Sequence, residues 1–273
     1  MISSDPNLEV VQEQIVTALP EFIETIASKF DDFDYHILVA SDDDGWGFDS
    51  CTLPCPDLTC LKGEPCCPDV LPKGELCCDI PNYPCNYLDF VTECDGMVGA
   101  GVVLPTGIGA SNTLCKLSGG HRYITKGQSN LAETFNCIAN VGLSGGNFIG
   151  DALVSAVSIG YNGPLGCNTG FLRDDALLMV TLVTPGYDSS YMFEDHTIWY
   201  ERLLKAKKGD PNSIVMFLIG QAPGPCSFED KLCQLAQMLP FNLAEDNEAK
   251  DYGPAFEEAT GLLETACEQL IPQ

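Results

Sequence analysis

The chain has 273 residues, 45% of them hydrophobic and only 19% charged, which is enough apolar material for a full core and excludes a disordered segment. Its 39 acidic residues against 13 basic ones give a formal charge of -26, which repels phosphate and anionic lipid and argues against nucleic acid and membrane surfaces as partners. No apolar run approaches the roughly 18 residues that a membrane span needs, so we expect no membrane insertion.

The first predicted element is a helix. Apolar residues recur at steps of three and four from Val11 to Phe30, which places them on one helical face. Asp5 followed by Pro6 fits an N-cap with proline at the first helical position. Pro20 lies inside the pattern and predicts a kink or a break. The residues after the first methionine do not form a signal-peptide core, so an export signal is expected upstream of this chain.

A strand is predicted over residues 36–41, a short apolar run that ends in an acidic loop. In this loop Asp42, Asp44 and Asp49 are spaced among further polar residues and glycines. Such a loop can wrap Ca²⁺, because glycine permits the turn that aims oxygens inward. The alternative is a solvated polar loop, which we favour because the later glutamate of an EF-hand loop is missing.

A cysteine-rich insertion is predicted from Cys51 to Cys94, where nine of the 15 cysteines lie among prolines. Such a segment cannot build its own apolar core and requires cross-links, which indicates an oxidising compartment. Zinc binding is the alternative, but the spacing is irregular and the insertion has no histidine. Nine is an odd number, so at least one of these cysteines pairs with the rest of the chain, pairs with another chain or stays free.

The other cysteines number six, enough for three bridges of unspecified connectivity; they are Cys115, Cys137, Cys167, Cys226, Cys233 and Cys267. Downstream of the insertion, residues 122–125 are predicted as a short edge strand. The apolar runs at 177–184 and 214–219 suit strands buried on both faces. Helical periodicity is found at 130–139, 148–158, 194–207 and 253–270.

Strands and helices alternate, so the predicted fold class is α/β, a doubly wound and mostly parallel sheet flanked by helices. We expect a single domain over residues 1–273 with the insertion at 51–94 inside it.

Four stretches together resemble the von Willebrand factor type A family. Residues 143–153, Leu-Ser-Gly-Gly-Asn-Phe-Ile-Gly-Asp-Ala-Leu, are similar to its glycine-rich loop and helix start. Residues 170–176 resemble the approach to its fourth strand, and the opening helix followed by residues 34–39 resembles its first helix and second strand. Residues 252–259, with Cys267, are similar to the closing helix of cysteine-containing bacterial members.

The resemblance implies a doubly wound sheet with a metal-ion-dependent adhesion site at the carboxyl ends of the strands. The family's first metal motif, Asp-x-Ser-x-Ser after a central strand, is missing, so the sheet is expected to lack its middle strand. The family's loop threonine falls near Asn147, and Pro185 replaces its later aspartate, with Asp188 the nearest carboxylate. The predicted metal residues, for Mg²⁺ or Ca²⁺, are Asp42, Asp44, Asn147 and Asp188.

A hydrolase is the less favoured alternative. The available bases are His36, His121 and His196; we expect the first to pack in the core and the others to lie in a loop or at a helix end. None of the common nucleophile, zinc-protease or phosphate-loop motifs is found. A triad assembled from distant residues stays open, because geometry rather than order defines it.

We therefore expect a binding domain and not an enzyme. The expected protein is exported and bacterial, located outside the cytoplasm, in the periplasm or in the cell envelope. Its partner is expected to be a protein, contacted through loops at the carboxyl ends of the strands and with a divalent cation in one version. The alternative is a metal-free, disulfide-linked envelope scaffold with the insertion as its contact surface.

Overall fold

The computed structural model describes residues 1–43, 85–143, 148–186, 188, 195–220, 224–227 and 229–269. Asp44, Asn147 and most of the cysteine-rich insertion lie outside these residues, so the predictions on them stay predictions.

The core of the fold is a parallel sheet of three strands, in the order β3-β4-β5. These strands are β3 (Leu178–Val183), β4 (Ile214–Gly220) and β5 (Phe241–Asp246). Every residue of β4 is buried, because β4 lies between two strands and has helices on both faces. The predicted buried strands at 177–184 and 214–219 are confirmed, whereas β5 was not predicted.

The first three residues extend this sheet on the other side of β3. Ile2 forms parallel bridges with Ser41 on one side and with Val183 on the other. The Ile2 N–H donates to the Ala40 carbonyl at 3.0 Å, and the Ser3 N–H donates to the Val183 carbonyl at 2.9 Å. Residues 1–3 therefore lie at the carboxyl end of the position where we expect the sheet to lack its middle strand, but they form isolated bridges there and not a full strand.

The predicted strand at 36–41 forms the next part of the sheet. Its first two residues, β1 (His36–Ile37), pair antiparallel with β2 (Ile124–Thr125), so the predicted edge strand is confirmed at its last two residues. Further along, Ala40 forms an antiparallel bridge with Gly101. From one edge to the other, the segments lie in the order 99–102, 39–41, 1–3, β3, β4 and β5.

Helices cover both faces of the sheet. Their bounds are α1 (Glu9–Lys29), α2 (Leu131–Ala139), α3 (Ile149–Ala156), α4 (Ile159–Asn162), α5 (His196–Ala206), α6 (Lys231–Gln237) and α7 (Gly253–Gln269). Phe217 and Ile219 of β4 share one apolar cluster with side chains of α1, α2 and α7. Met216 and Leu218 share the opposite cluster with side chains of α3, α5 and α6. This alternation along β4 gives the mixed α/β architecture that was predicted.

The predicted opening helix is present, and Asp5 caps a short 3-10 turn before it by accepting from the Asn7 N–H at 2.8 Å. The helix does not break at Pro20, since α1 runs without interruption from Glu9 to Lys29. Buried side chains such as Ile15 and Phe22 hold both halves of α1 against the core, and this packing outweighs the lost main-chain hydrogen bond at proline.

Three disulfides link described residues: Cys94–Cys167, Cys115–Cys137 and Cys226–Cys233. The first joins the end of the insertion to the body of the domain, which is one of the three outcomes left open for the odd number of insertion cysteines. Cys267 carries a free thiol, so the six body cysteines form two bridges among themselves rather than three. None of the helices in the described ranges is long and apolar enough to cross a membrane.

Candidate binding site at the carboxyl ends of the strands

A buried carboxylate lies where the first two segments of the sheet end. Asp42 follows the segment 39–41, and its side chain is only 1% exposed. The hydroxyl of Ser3 donates to its Oδ2 at 2.8 Å. Both the main-chain N–H and the hydroxyl of Ser4 donate to its Oδ1, at 2.8 and 3.0 Å. The Phe148 N–H, just before α3, donates to Oδ2 at 3.2 Å.

These bonds arise because three chain segments end at the same edge of the sheet. Residues 1–3 and 39–41 run parallel, so Ser4 and Asp42 leave their segments side by side. The first turn of α3 supplies N–H groups that no helical carbonyl accepts. Asp42 therefore connects the start of the chain, the end of the second segment and the start of α3.

Burial raises the pKa of the Asp42 carboxyl, and the hydrogen bonds from Ser4, Ser3 and Phe148 oppose that rise. Burial therefore has a larger effect on the pKa of Asp42 than its hydrogen-bond donors have. A carboxylate in such surroundings is stabilised only by its donors, so their loss is costly.

A second carboxylate reaches the same helix start from beyond β3. Oδ2 of Asp188 accepts from the Gly150 N–H at 2.7 Å, two residues after the N–H that reaches Asp42. The positive end of the α3 dipole favours both carboxylates. The structure thus brings together Asp42 and Asp188, two of the four predicted metal residues.

Further polar bonds fix the surroundings of this site. The side-chain amide nitrogen of Gln12, a buried residue of α1, donates to the carbonyls of Ser3 at 2.7 Å and of Gly142 at 2.9 Å. Beyond β3, the Asn247 side chain donates to the Thr184 carbonyl at 3.2 Å. Its main-chain N–H donates to the Gly220 carbonyl at 2.7 Å, which ties together the ends of the three parallel strands.

The sequence prediction missed Ser3 and Ser4. Both are fully buried, and both direct their hydroxyl groups at Asp42. The available signal is a pair of serines between an apolar residue and a helix-capping aspartate.

A hard divalent cation requires several oxygen ligands that converge on one point. Both oxygens of Asp42 already accept from N–H and O–H donors, which suits it to orient the serines rather than to bind a cation directly. The hydroxyl oxygens of Ser3 and Ser4 and the carboxylate of Asp188 are the kinds of ligand that Mg²⁺ and Ca²⁺ prefer. The described residues contain no group of three or more His, Cys, Asp or Glu that could hold a metal ion.

The histidines lie elsewhere. The Nδ1 of His36 is 3.0 Å from the Phe171 carbonyl, and its ring lies 4.7 Å from that of Tyr123. His121 stacks on the same tyrosine at 4.7 Å. His196 is the first residue of α5. His121 in a loop and His196 at a helix end lie where they were predicted. His36 lies in β1 as predicted but is only partly buried rather than packed in the core.

No family model matches the chain, and no curated protein and no solved structure is significantly similar to it.

Proposed function

We propose that the chain is a non-catalytic binding domain that contacts a protein partner through the loops at the carboxyl ends of its strands. The observation that carries this proposal is the position of Asp42 together with Ser3 and Ser4, whose hydroxyl groups donate to it. Numbered along the chain, the six segments of the sheet lie in the order 3-2-1-4-5-6, in which ligands bind where the order reverses, outside the carboxyl ends of the strands. Here the order reverses between residues 1–3 and β3, and Ser3, Asp42 and Asp188 lie at that point.

The finer proposal is that the domain belongs to the von Willebrand factor type A family and to an exported bacterial protein. The strand order and the helices on both faces support the first part. The three disulfides support an oxidising compartment. In the metal-dependent version, Ser3, Ser4 and Asp188 hold Mg²⁺ or Ca²⁺ while Asp42 orients the serines, and the cation offers an open position to a carboxylate of the partner.

Titration of the purified chain with Mg²⁺ and with Ca²⁺ by calorimetry tests the metal-dependent version. Binding heat is expected for the wild-type chain and for Asp210→Asn, which changes a carboxylate at the opposite end of the sheet. Asp188→Asn keeps an oxygen for the Gly150 N–H but removes the charge, so its heat is expected to disappear. Absence of heat from the wild-type chain would remove the cation from the proposal.

A metal-free scaffold is the second candidate, and the Cys94–Cys167 bridge favours it because it fastens the cysteine-rich insertion to the body of the domain. Mass spectrometry of the non-reduced chain tests this candidate. Cross-linked insertion cysteines are expected, whereas four free insertion thiols with one bound zinc would contradict it.

A further inference from the structure

The Cys226–Cys233 disulfide differs from the other two in how little of the fold depends on it. Its cysteines are seven residues apart, against 22 and 73 for the other bridges, and a short loop gains least from being closed. Hydrogen bonds already hold the same turn to α6. The amide nitrogen of Gln234 donates to the Ser227 carbonyl at 2.8 Å, and the Asp230 N–H donates to the Ser227 hydroxyl at 3.2 Å.

The two sulfur-bearing residues are unequally accessible. Cys226 is half-buried in the loop after β4, whereas Cys233 is 8% exposed in the first turn of α6. A thiolate arriving from solvent therefore reaches Cys226 first, which makes the sulfur of Cys233 the leaving group.

An aspartate is hydrogen-bonded to the main chain of the more buried cysteine. Asp230 is the N-cap of α6, and its Oδ1 accepts from the Cys233 N–H at 2.8 Å. A side chain at this third helical position reaches back towards the N-cap, as it does in a capping box. Asp230 is only 3% exposed, and its Oδ2 is buried without a hydrogen-bond partner.

A buried polar atom without a partner requires an explanation, and a role in redox or acid-base chemistry is one. Burial also raises the pKa of the Asp230 carboxyl above its ordinary value, and main-chain hydrogen bonds from Cys233 and Leu232 oppose that rise. The carboxyl therefore keeps its proton to a higher pH than an exposed aspartate does.

We propose that Cys226–Cys233 is an exchangeable disulfide that reacts with a thiol or dithiol, with Cys226 as the sulfur attacked and Asp230 as the proton donor to Cys233. The attacking thiolate forms a bond to the Cys226 sulfur as the Cys226–Cys233 bond breaks. The electron pair of that bond goes to the Cys233 sulfur, which takes the proton of the Asp230 carboxyl. A second thiol then attacks the mixed disulfide, releases Cys226 as a thiolate and leaves as the oxidised disulfide.

Opening of the bridge by reduced glutathione tests the proposal, with acid quenching, alkylation and peptide mapping at successive times. Cys226–Cys233 is expected to open before Cys94–Cys167 and Cys115–Cys137, with the glutathione adduct on Cys226 and with helical content by circular dichroism unchanged. A bridge that opens last, or an adduct on Cys233, would overturn the proposal.

Asp230→Asn separates proton donation from helix capping, because asparagine caps as well as aspartate but has no proton to give. Opening is expected to slow by about 100-fold, within the usual range for a positioned proton donor. Its rate is expected to follow only the thiolate fraction of glutathione as pH rises, whereas the wild-type rate also depends on the protonation of Asp230. Asp195→Asn, at the N-cap of α5, is the matched control and should react at the wild-type rate. A wild-type rate and pH profile in Asp230→Asn would exclude the proton-donor role.

Discussion

Replacement of Asp42 by alanine tests whether this residue of the candidate site also stabilises the fold. The substitution leaves the N–H groups of Ser4 and Phe148 without their acceptor, and one unpaired donor costs about 1–3 kcal/mol when buried. Ser4 is fully buried, whereas the bond from Phe148 is only partly buried. The two serine hydroxyls can rotate, and the burial cost of the carboxylate disappears. We therefore expect the free energy of unfolding to fall by about 3 kcal/mol.

Urea denaturation followed by far-UV circular dichroism measures this change. Asp210→Ala is the control, because Asp210 caps a short 3-10 turn at the opposite end of the sheet, where it accepts from the Asn212 N–H at 3.0 Å. The control is expected to lose about 1 kcal/mol, the usual cost of removing a cap. If the free energy of unfolding falls no more in Asp42→Ala than in Asp210→Ala, the buried N–H donors do not account for the stabilising role of Asp42.

The pH dependence of stability gives an independent check on Asp42. Because burial raises its pKa above the ordinary 3.8, the unfolded chain loses the proton at a lower pH than the folded chain. The stabilising contribution is thus fully present below that ordinary value and is lost as pH rises through the folded pKa. Asp42→Asn has no proton to lose. The free energy of unfolding of Asp42→Asn, relative to that of the wild-type chain, is therefore expected to rise between pH 3.5 and pH 7. If this difference does not change with pH, the pKa of Asp42 is not raised in the folded chain.

Three further substitutions probe other parts of the fold. Gly150→Ala places a Cβ 2.1 Å from the ring of Trp199, so thermal melting is expected to show a loss of about 1–3 kcal/mol despite the better helix propensity of alanine. Lys207→Met removes a buried ammonium that donates to two carbonyls ahead of β3, and urea denaturation should show a loss of about 2 kcal/mol. Serine at both Cys94 and Cys167 opens a loop of 73 residues, with an expected loss of about 4 kcal/mol in the same assay.

The sequence was sufficient for the two long buried strands, because β3 and β4 consist almost entirely of apolar residues, with Thr181 the one polar residue in the two strands. Such runs can be recognised without knowledge of the neighbouring strands. The strand β5 was harder to predict. Only its first residue is fully buried, and its acidic end, Glu245 and Asp246, resembles a loop in sequence. Its place in the sheet depends on pairing with β4, which supplies the information that local composition lacks.

The middle position of the sheet was missed for a similar reason. Residues 1–3 are too few to show any periodicity, and their extended conformation depends on hydrogen bonds to Ala40 and Val183. Because Ser3 and Ser4 were not placed in the sheet, the predicted site consisted of carboxylates and one amide without the hydroxyl groups. Asp42 and Asp188 both accept from N–H groups at the start of α3, because the carboxyl ends of parallel strands share one edge; their role as metal ligands stays a prediction.

Asp42 and Asp188 differ in whether a substitution can distinguish an effect on binding from an effect on stability. Asp42 holds three chain segments together, so any variant of it that abolishes binding also weakens the fold, and the two effects cannot be distinguished in one measurement. Asp188 accepts from the Gly150 N–H through one oxygen, and asparagine can keep that bond while losing the charge. If the site works through its negative charge, Asp188→Asn loses binding at an unchanged melting temperature. Equal loss of binding and stability would instead make Asp188 a part of the scaffold around α3.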